Sequence, residues 1–126
     1  MASWIKKKDY EGLSVSYLEG QPGVILVQFD KDRSAELGDL VKRIIPYDNK
    51  PACAIIDCSN LFRMEEMGNV IAGLHQRGDG IKNVYVVSDE SGLIQGYDRM
   101  GWCQLLNKPI YQTVDEALQT YISGTK

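Results

Sequence analysis

Residues 52–68 read Ala-Cys-Ala-Ile-Ile-Asp-Cys-Ser-Asn-Leu-Phe-Arg-Met-Glu-Glu-Met-Gly. The first five residues are all apolar and do not alternate with polar ones, which is typical of a strand buried on both faces of a parallel sheet. Asp57 ends this run, and a stripe at helical spacing follows at Met67, Val70, Ile71 and Leu74. The segment therefore predicts a strand, a loop and a helix. Because binding sites lie at the carboxyl ends of such strands, this loop is the first candidate site.

An antiparallel hairpin is predicted before this segment. Residues 13–17 alternate between apolar and polar, and residues 24–29 form a second apolar run. The turn-rich connection at residues 19–23 is too short for a parallel return. Residues 1–11 are predicted to be a flexible arm, and residues 12–126 a single domain.

Strands and helices alternate in the rest of the chain. Helical stripes at residues 37–45, 67–74, 93–100 and 114–122 alternate with apolar strands at 52–56, 84–87 and 109–111. Thr113 and Glu116 have the spacing of a capping box at the last helix, and Gly101 closes the helix before it. The predicted fold is α/β in the order ββαβαβαβα. It has a mixed sheet that is parallel after the opening hairpin, and about four helices.

Composition excludes several classes of protein. A net charge of −3 and a pI near 5.1 argue against nucleic-acid binding. No apolar stretch approaches the ~20 residues of a membrane span, so no membrane insertion is expected. Cys53 and Cys58 are five residues apart and are expected to point to opposite faces, where they cannot bridge. A reduced, cytoplasmic protein is predicted, with Cys58 as a packing residue.

Residues 24–122 resemble the STAS family, the sulfate-transporter and anti-sigma-factor-antagonist domains. The family pattern Asp-Leu-Ser-x-Val-x-Phe-Met-Asp-Ser-Ser-Gly aligns without a gap with residues 57–68, Asp-Cys-Ser-Asn-Leu-Phe-Arg-Met-Glu-Glu-Met-Gly. Residues 110–118 are similar to the family's closing strand and its Glu-Glu-Ala-Leu helix. The resemblance implies a non-catalytic regulatory domain that acts by binding another protein.

The chain departs from the family at the phosphorylation site. In anti-sigma factor antagonists a partner kinase phosphorylates the first serine of Asp-Ser-Ser-Gly, and that position here is Glu66. A permanent carboxylate at a helix start can mimic phosphate, or it can simply complement the helix dipole. Ser59 is an alternative phosphosite, although a hydroxyl that bonds nearby backbone is the more common arrangement.

The resemblance implies a partner-binding surface on the loop after the central strand. The predicted residues are Asn60, Leu61, Phe62, Arg63, Met64, Glu65, Glu66 and Met67. The implied partner is an anti-sigma factor kinase, a stress-signalling scaffold or a component of a membrane transport complex. No cofactor is expected, and a homodimer remains open.

Two other classes compete with this interpretation. Asp57, Ser88 and Lys108 mimic a response-regulator receiver, with Asp30 and Asp32 as the acidic pair for magnesium. The interval from Asp30 to Asp57 has no room for the receiver's additional strand. For an enzyme, the sequence offers no nucleophile–base pair or phosphate-binding loop. The single histidine, His75, has no partner at metal-ligand spacing, so no metal site is expected.

Overall fold

The computed structural model describes residues 3–10, 13–29, 52–59, 68, 83–101 and 109–124. These residues contain five strands and two helices. The strands are β1 (Trp4–Tyr10), β2 (Leu13–Leu18), β3 (Gln21–Phe29), β4 (Cys53–Asp57) and β5 (Asn83–Val87), and the helices are α1 (Ser91–Arg99) and α2 (Val114–Gly124). The predicted α/β class is confirmed. About four helices were predicted, and the two at residues 37–45 and 67–74 lie outside the described residues, apart from Gly68, which is helical.

The five strands form one mixed sheet in the order β1-β2-β3-β4-β5. The β1–β2 and β2–β3 pairs are antiparallel, whereas the β3–β4 and β4–β5 pairs are parallel. The predicted opening hairpin is therefore confirmed, and β4 lies in the sheet interior as predicted. Beyond β5, Tyr111 makes a single parallel bridge to Val87 at the place where a last short strand was predicted.

Residues 4–10 correct the prediction of a flexible arm over residues 1–11. They form β1, which pairs with β2 from Trp4↔Leu18 to Tyr10↔Leu13. A register shift between Lys6 and Lys8 marks a bulge in this strand. A bulge adds an unpaired residue and interrupts the alternation of side chains. Because of this bulge and the three consecutive lysines, the segment lacks the apolar–polar alternation that predicts a strand.

The turn between β2 and β3 is shorter than predicted. Leu18 pairs with Gln21, so only Glu19 and Gly20 lie between them, in place of a connection over residues 19–23. Gly20 has φ of +85°, a left-handed conformation that glycine adopts without a steric penalty. A register shift between Tyr17 and Leu18 then brings the two strands into their long pairing.

Both faces of the parallel strands are buried, as the uniform apolar run of β4 predicted. Val24, Leu26, Cys53, Ile55, Tyr85 and Val87 share one face and form a cluster with Ala117 and Leu118 of α2. The alternate positions Ile25, Val27, Ala54, Ile56, Val84 and Val86 are also buried, with exposures from 0% to 8%. The core therefore has layers on both sides of the sheet.

The end of α1 and the start of α2 lie where the sequence predicts. Gly101, with φ of +78°, follows α1 and donates its backbone N–H to the Asp98 carbonyl at 3.2 Å. At the start of α2 the hydroxyl of Thr113 accepts the Glu116 backbone N–H at 3.1 Å. Across the described ranges, neither helix has the length and apolar character needed to span a membrane.

Candidate functional site at the carboxyl ends of the strands

Asp57 lies at the carboxyl end of β4, and each of its two carboxylate oxygens accepts a hydrogen bond. Oδ1 accepts the Ser59 backbone N–H at 3.0 Å, so Asp57 caps the start of the loop. Oδ2 accepts Nε2 of Gln28 at 3.2 Å. Gln28 pairs in register with Asp57 on the neighbouring strand β3, so its side chain lies on the same face.

The loop that begins at Ser59 carries the predicted partner-binding surface. Ser59 is half-buried, and its backbone is held by Asp57. The residues from Asn60 to Met67, including Glu66, lie outside the described residues. So do Asp30, Asp32, His75 and Lys108. The structure thus positions the start of this loop at the edge of the sheet formed by the carboxyl ends of the parallel strands. The assignment of the remaining loop residues to the binding surface stays a prediction.

Ser88 follows β5 and is fully buried at the same edge. Its hydroxyl accepts the backbone N–H of Glu90 at 3.2 Å, and its own N–H donates to the Tyr111 carbonyl at 2.9 Å. The neighbouring Cys58 N–H donates to the Val87 carbonyl at 2.7 Å. The N–H groups of Cys58 and Ser88 thus link the end of β4 to β5 and the end of β5 to Tyr111, a structural role for Ser88 that the likeness to a receiver did not predict.

Cys58 is buried, with no measurable exposure. Burial, together with the nearby Asp57 carboxylate, raises the pKa of the thiol far above its usual range. Because the thiolate is the reactive form, this environment suits packing and opposes nucleophilic chemistry. Cys53 is also buried, and no disulfide joins the two thiols.

Cys58 should make the protein less stable in alkaline solution. The unfolded thiol ionises near pH ~8.5 and the folded one only at much higher pH, so unfolding releases a proton between these values. We expect the free energy of unfolding to fall by up to ~1.4 kcal/mol per pH unit above that point because of this thiol. Urea denaturation of wild type and Cys58→Ala between pH 7.5 and pH 10 measures how the free energy of unfolding depends on pH. An equal pH dependence in both proteins would contradict the effect assigned to Cys58.

The described part of the edge is acidic. Asp57 is half-buried, Asp89 is exposed and Glu90 is half-exposed, and no lysine or arginine lies among residues 57–59 and 88–90. Within the described ranges no three His, Cys, Asp or Glu residues are grouped so that they could hold a metal ion. The described strand ends therefore carry three acidic side chains, Asp57, Asp89 and Glu90.

The sheet order differs from that of a doubly wound receiver. In the flavodoxin-like order 2-1-3-4-5 the strands are wound in both directions from a switch point, where the site lies. Here β3, β4 and β5 follow one another in sequence order, and the other neighbour of β3 is the antiparallel strand β2. Asp57 therefore does not lie beside a switch point in the described sheet.

Comparison with known proteins adds no relative. No protein-family model matches the chain, and no curated protein matches it.

Proposed function

We propose that this chain is a non-catalytic STAS-like domain of the cytoplasm that regulates by binding another protein. The observation that carries the proposal is the position of Asp57. It ends the central strand β4, and the twelve-residue stretch that resembles the STAS motif begins at this residue. The motif therefore starts where a parallel sheet presents its binding loops.

The potentially reactive side chains at these strand ends support a non-catalytic role. Asp57 uses both carboxylate oxygens in hydrogen bonds to Ser59 and Gln28. The hydroxyl of Ser88 accepts a backbone N–H while fully buried, and Cys58 is shielded with a raised pKa. Groups held in this way stabilise the strand ends, and among the described residues none of them has the nucleophile–base contact that covalent catalysis needs.

Glu66 gives the proposed surface its regulatory character. A helix N-terminus has unpaired amides and a partial positive charge, so a carboxylate there occupies the place of a phosphate. Since glutamate lacks the hydroxyl that a serine kinase phosphorylates, the binding state is set by the sequence. The partner is an anti-sigma factor kinase, a stress-signalling scaffold or, in a second version of the same proposal, a membrane transport complex that contains this chain as a subunit.

A receiver is the alternative that a phosphoryl analogue tests. We expect that magnesium with beryllofluoride leaves the backbone amide spectrum of the protein unchanged, because both Asp57 oxygens are bonded and the sheet order is not that of a receiver. Two-dimensional NMR with and without the reagents measures this. Shifts centred on Asp57 and Ser88, or acid-labile phosphate on Asp57 after acetyl phosphate treatment, would overturn the class.

A site-specific cross-link tests the docking surface itself. A photo-reactive phenylalanine analogue at Phe62, within the predicted surface, should capture a protein partner in the source cell. The same analogue at Met100, which is 62% exposed on the α1 side, is the control and should not capture that partner. Mass spectrometry of the adducts identifies the protein. Absence of an adduct from Phe62, or an identical adduct from both positions, would contradict the proposal.

A further inference from the structure

An open groove lies between α2 and the hairpin end of the sheet. Its volume is about 570 Å³, within the range of ligand-binding clefts. The hairpin side contributes Leu18, Glu19 and Ser3, and the Glu19 N–H donates to the Ser3 carbonyl at 2.9 Å, which ties β1 to the turn. The helix side contributes Asp115, Leu118, Gln119 and Ile122.

The helix residues of this groove form one continuous stripe. Their spacing is i, i+3, i+4, i+7, so they lie on one flank of α2, and Leu118 among them also belongs to the core cluster on the sheet. Leu18 and Leu118 are buried and form an apolar floor, whereas Ile122 is 41% exposed at the rim. Large exposed apolar side chains are rare in the described residues, where only Ile5, Met100 and Ile122 qualify.

The charge of the groove has one sign. Glu19 and Asp115 are both exposed, one on each wall, and none of the lining residues that the structure describes is basic. A ligand that fits must place an apolar group on the leucine floor and a positive charge near each wall. This combination corresponds to a peptide in which lysine or arginine residues flank an apolar side chain.

We propose that the groove between α2 and the β2–β3 turn is a second protein-binding site, which takes a basic segment of a partner with an apolar anchor. The turn lies at the amino end of β3, opposite the strand ends that carry Asp57. The site is therefore separate from the surface after β4 and does not depend on Glu66. A chain with both surfaces joins two partners, or two parts of one partner.

A synthetic peptide tests the site directly. The probe is an acetylated and amidated peptide, Ser-Lys-Leu-Leu-Lys-Ser, titrated into ¹⁵N-labelled protein. The groove variant is the double substitution Glu19→Gln with Asp115→Asn. The control is Glu90→Gln with Glu116→Gln, which removes the same two charges from positions outside the groove. Melting curves of both variants check that they fold.

The expected result is a set of shifts at the amides of Leu18, Glu19, Gln119 and Ile122. Binding should be about three- to tenfold weaker in the groove variant, since two exposed charge contacts are lost, and unchanged in the control variant. Three results would overturn the proposal. They are shifts located elsewhere or absent, equal weakening in both double variants, and equal binding of a peptide with glutamate in place of lysine.

Discussion

Leu118→Ala should lower the free energy of unfolding by about 2–5 kcal/mol, because the deletion leaves a cavity in the core. Leu118 is only 1% exposed and is among the largest fully buried side chains of the described residues. It lies on the sheet-facing stripe of α2, in the same cluster as Ile55 and Tyr85. The helix packs mainly on β4 and β5, so loss of this anchor weakens the cover of the central strands.

The neighbouring residue provides the control. Gln119 is exposed on the same helix, and Gln119→Ala should change stability by no more than about 0.5 kcal/mol. Urea denaturation of wild type and the two variants gives the three free energies. If Leu118→Ala falls within the range of Gln119→Ala, α2 does not cover the sheet as described.

The central strand could be predicted from the sequence because its burial leaves a local signal. An apolar run without alternation requires cover on both faces, and β4 has that cover, with Cys53 through Ile56 all at 0% exposure. The helix ends were predictable for the same reason. The Thr113 cap and the left-handed Gly101 depend on backbone groups only a few residues away.

The first strand could not be predicted because its signal is not local. β1 is held by pairing with β2, and the bulge between Lys6 and Lys8 breaks the period on which the prediction relied. Trp4 is half-buried against the core cluster, a contact that the polar composition of the N-terminal segment does not predict.

The candidate site was predicted in position and only partly in detail. Asp57 at the end of a buried run was a local signal. The bond from Gln28 depends on the register of β3 and β4, and the role of Ser88 depends on Tyr111, which is 23 residues further along the chain. Gln28 is the next-to-last residue of β3 and Asp57 is the last residue of β4, and polar residues so close to the ends of neighbouring parallel strands are the signal that could have paired them.

The second large effect concerns Glu66. If its carboxylate substitutes for phosphate at the start of a helix, Glu66→Ser removes a specific charge contact and should change partner affinity by ~1–3 kcal/mol. Folding should be nearly unaffected, because serine is also tolerated where a helix begins. Glu65→Ser is the matched control, as it removes the same charge from the adjacent position.

Titration calorimetry against the partner that the cross-link at Phe62 identifies is the most direct test of the docking proposal. Wild type, Glu66→Ser and Glu65→Ser are titrated in turn, with melting curves of all three. We expect Glu66→Ser to shift the dissociation constant by a factor of about 5 to 150, and Glu65→Ser to shift it by a smaller factor. Equal affinities for wild type and Glu66→Ser would contradict the account, and a large loss of thermal stability in Glu66→Ser would assign the residue a structural role instead.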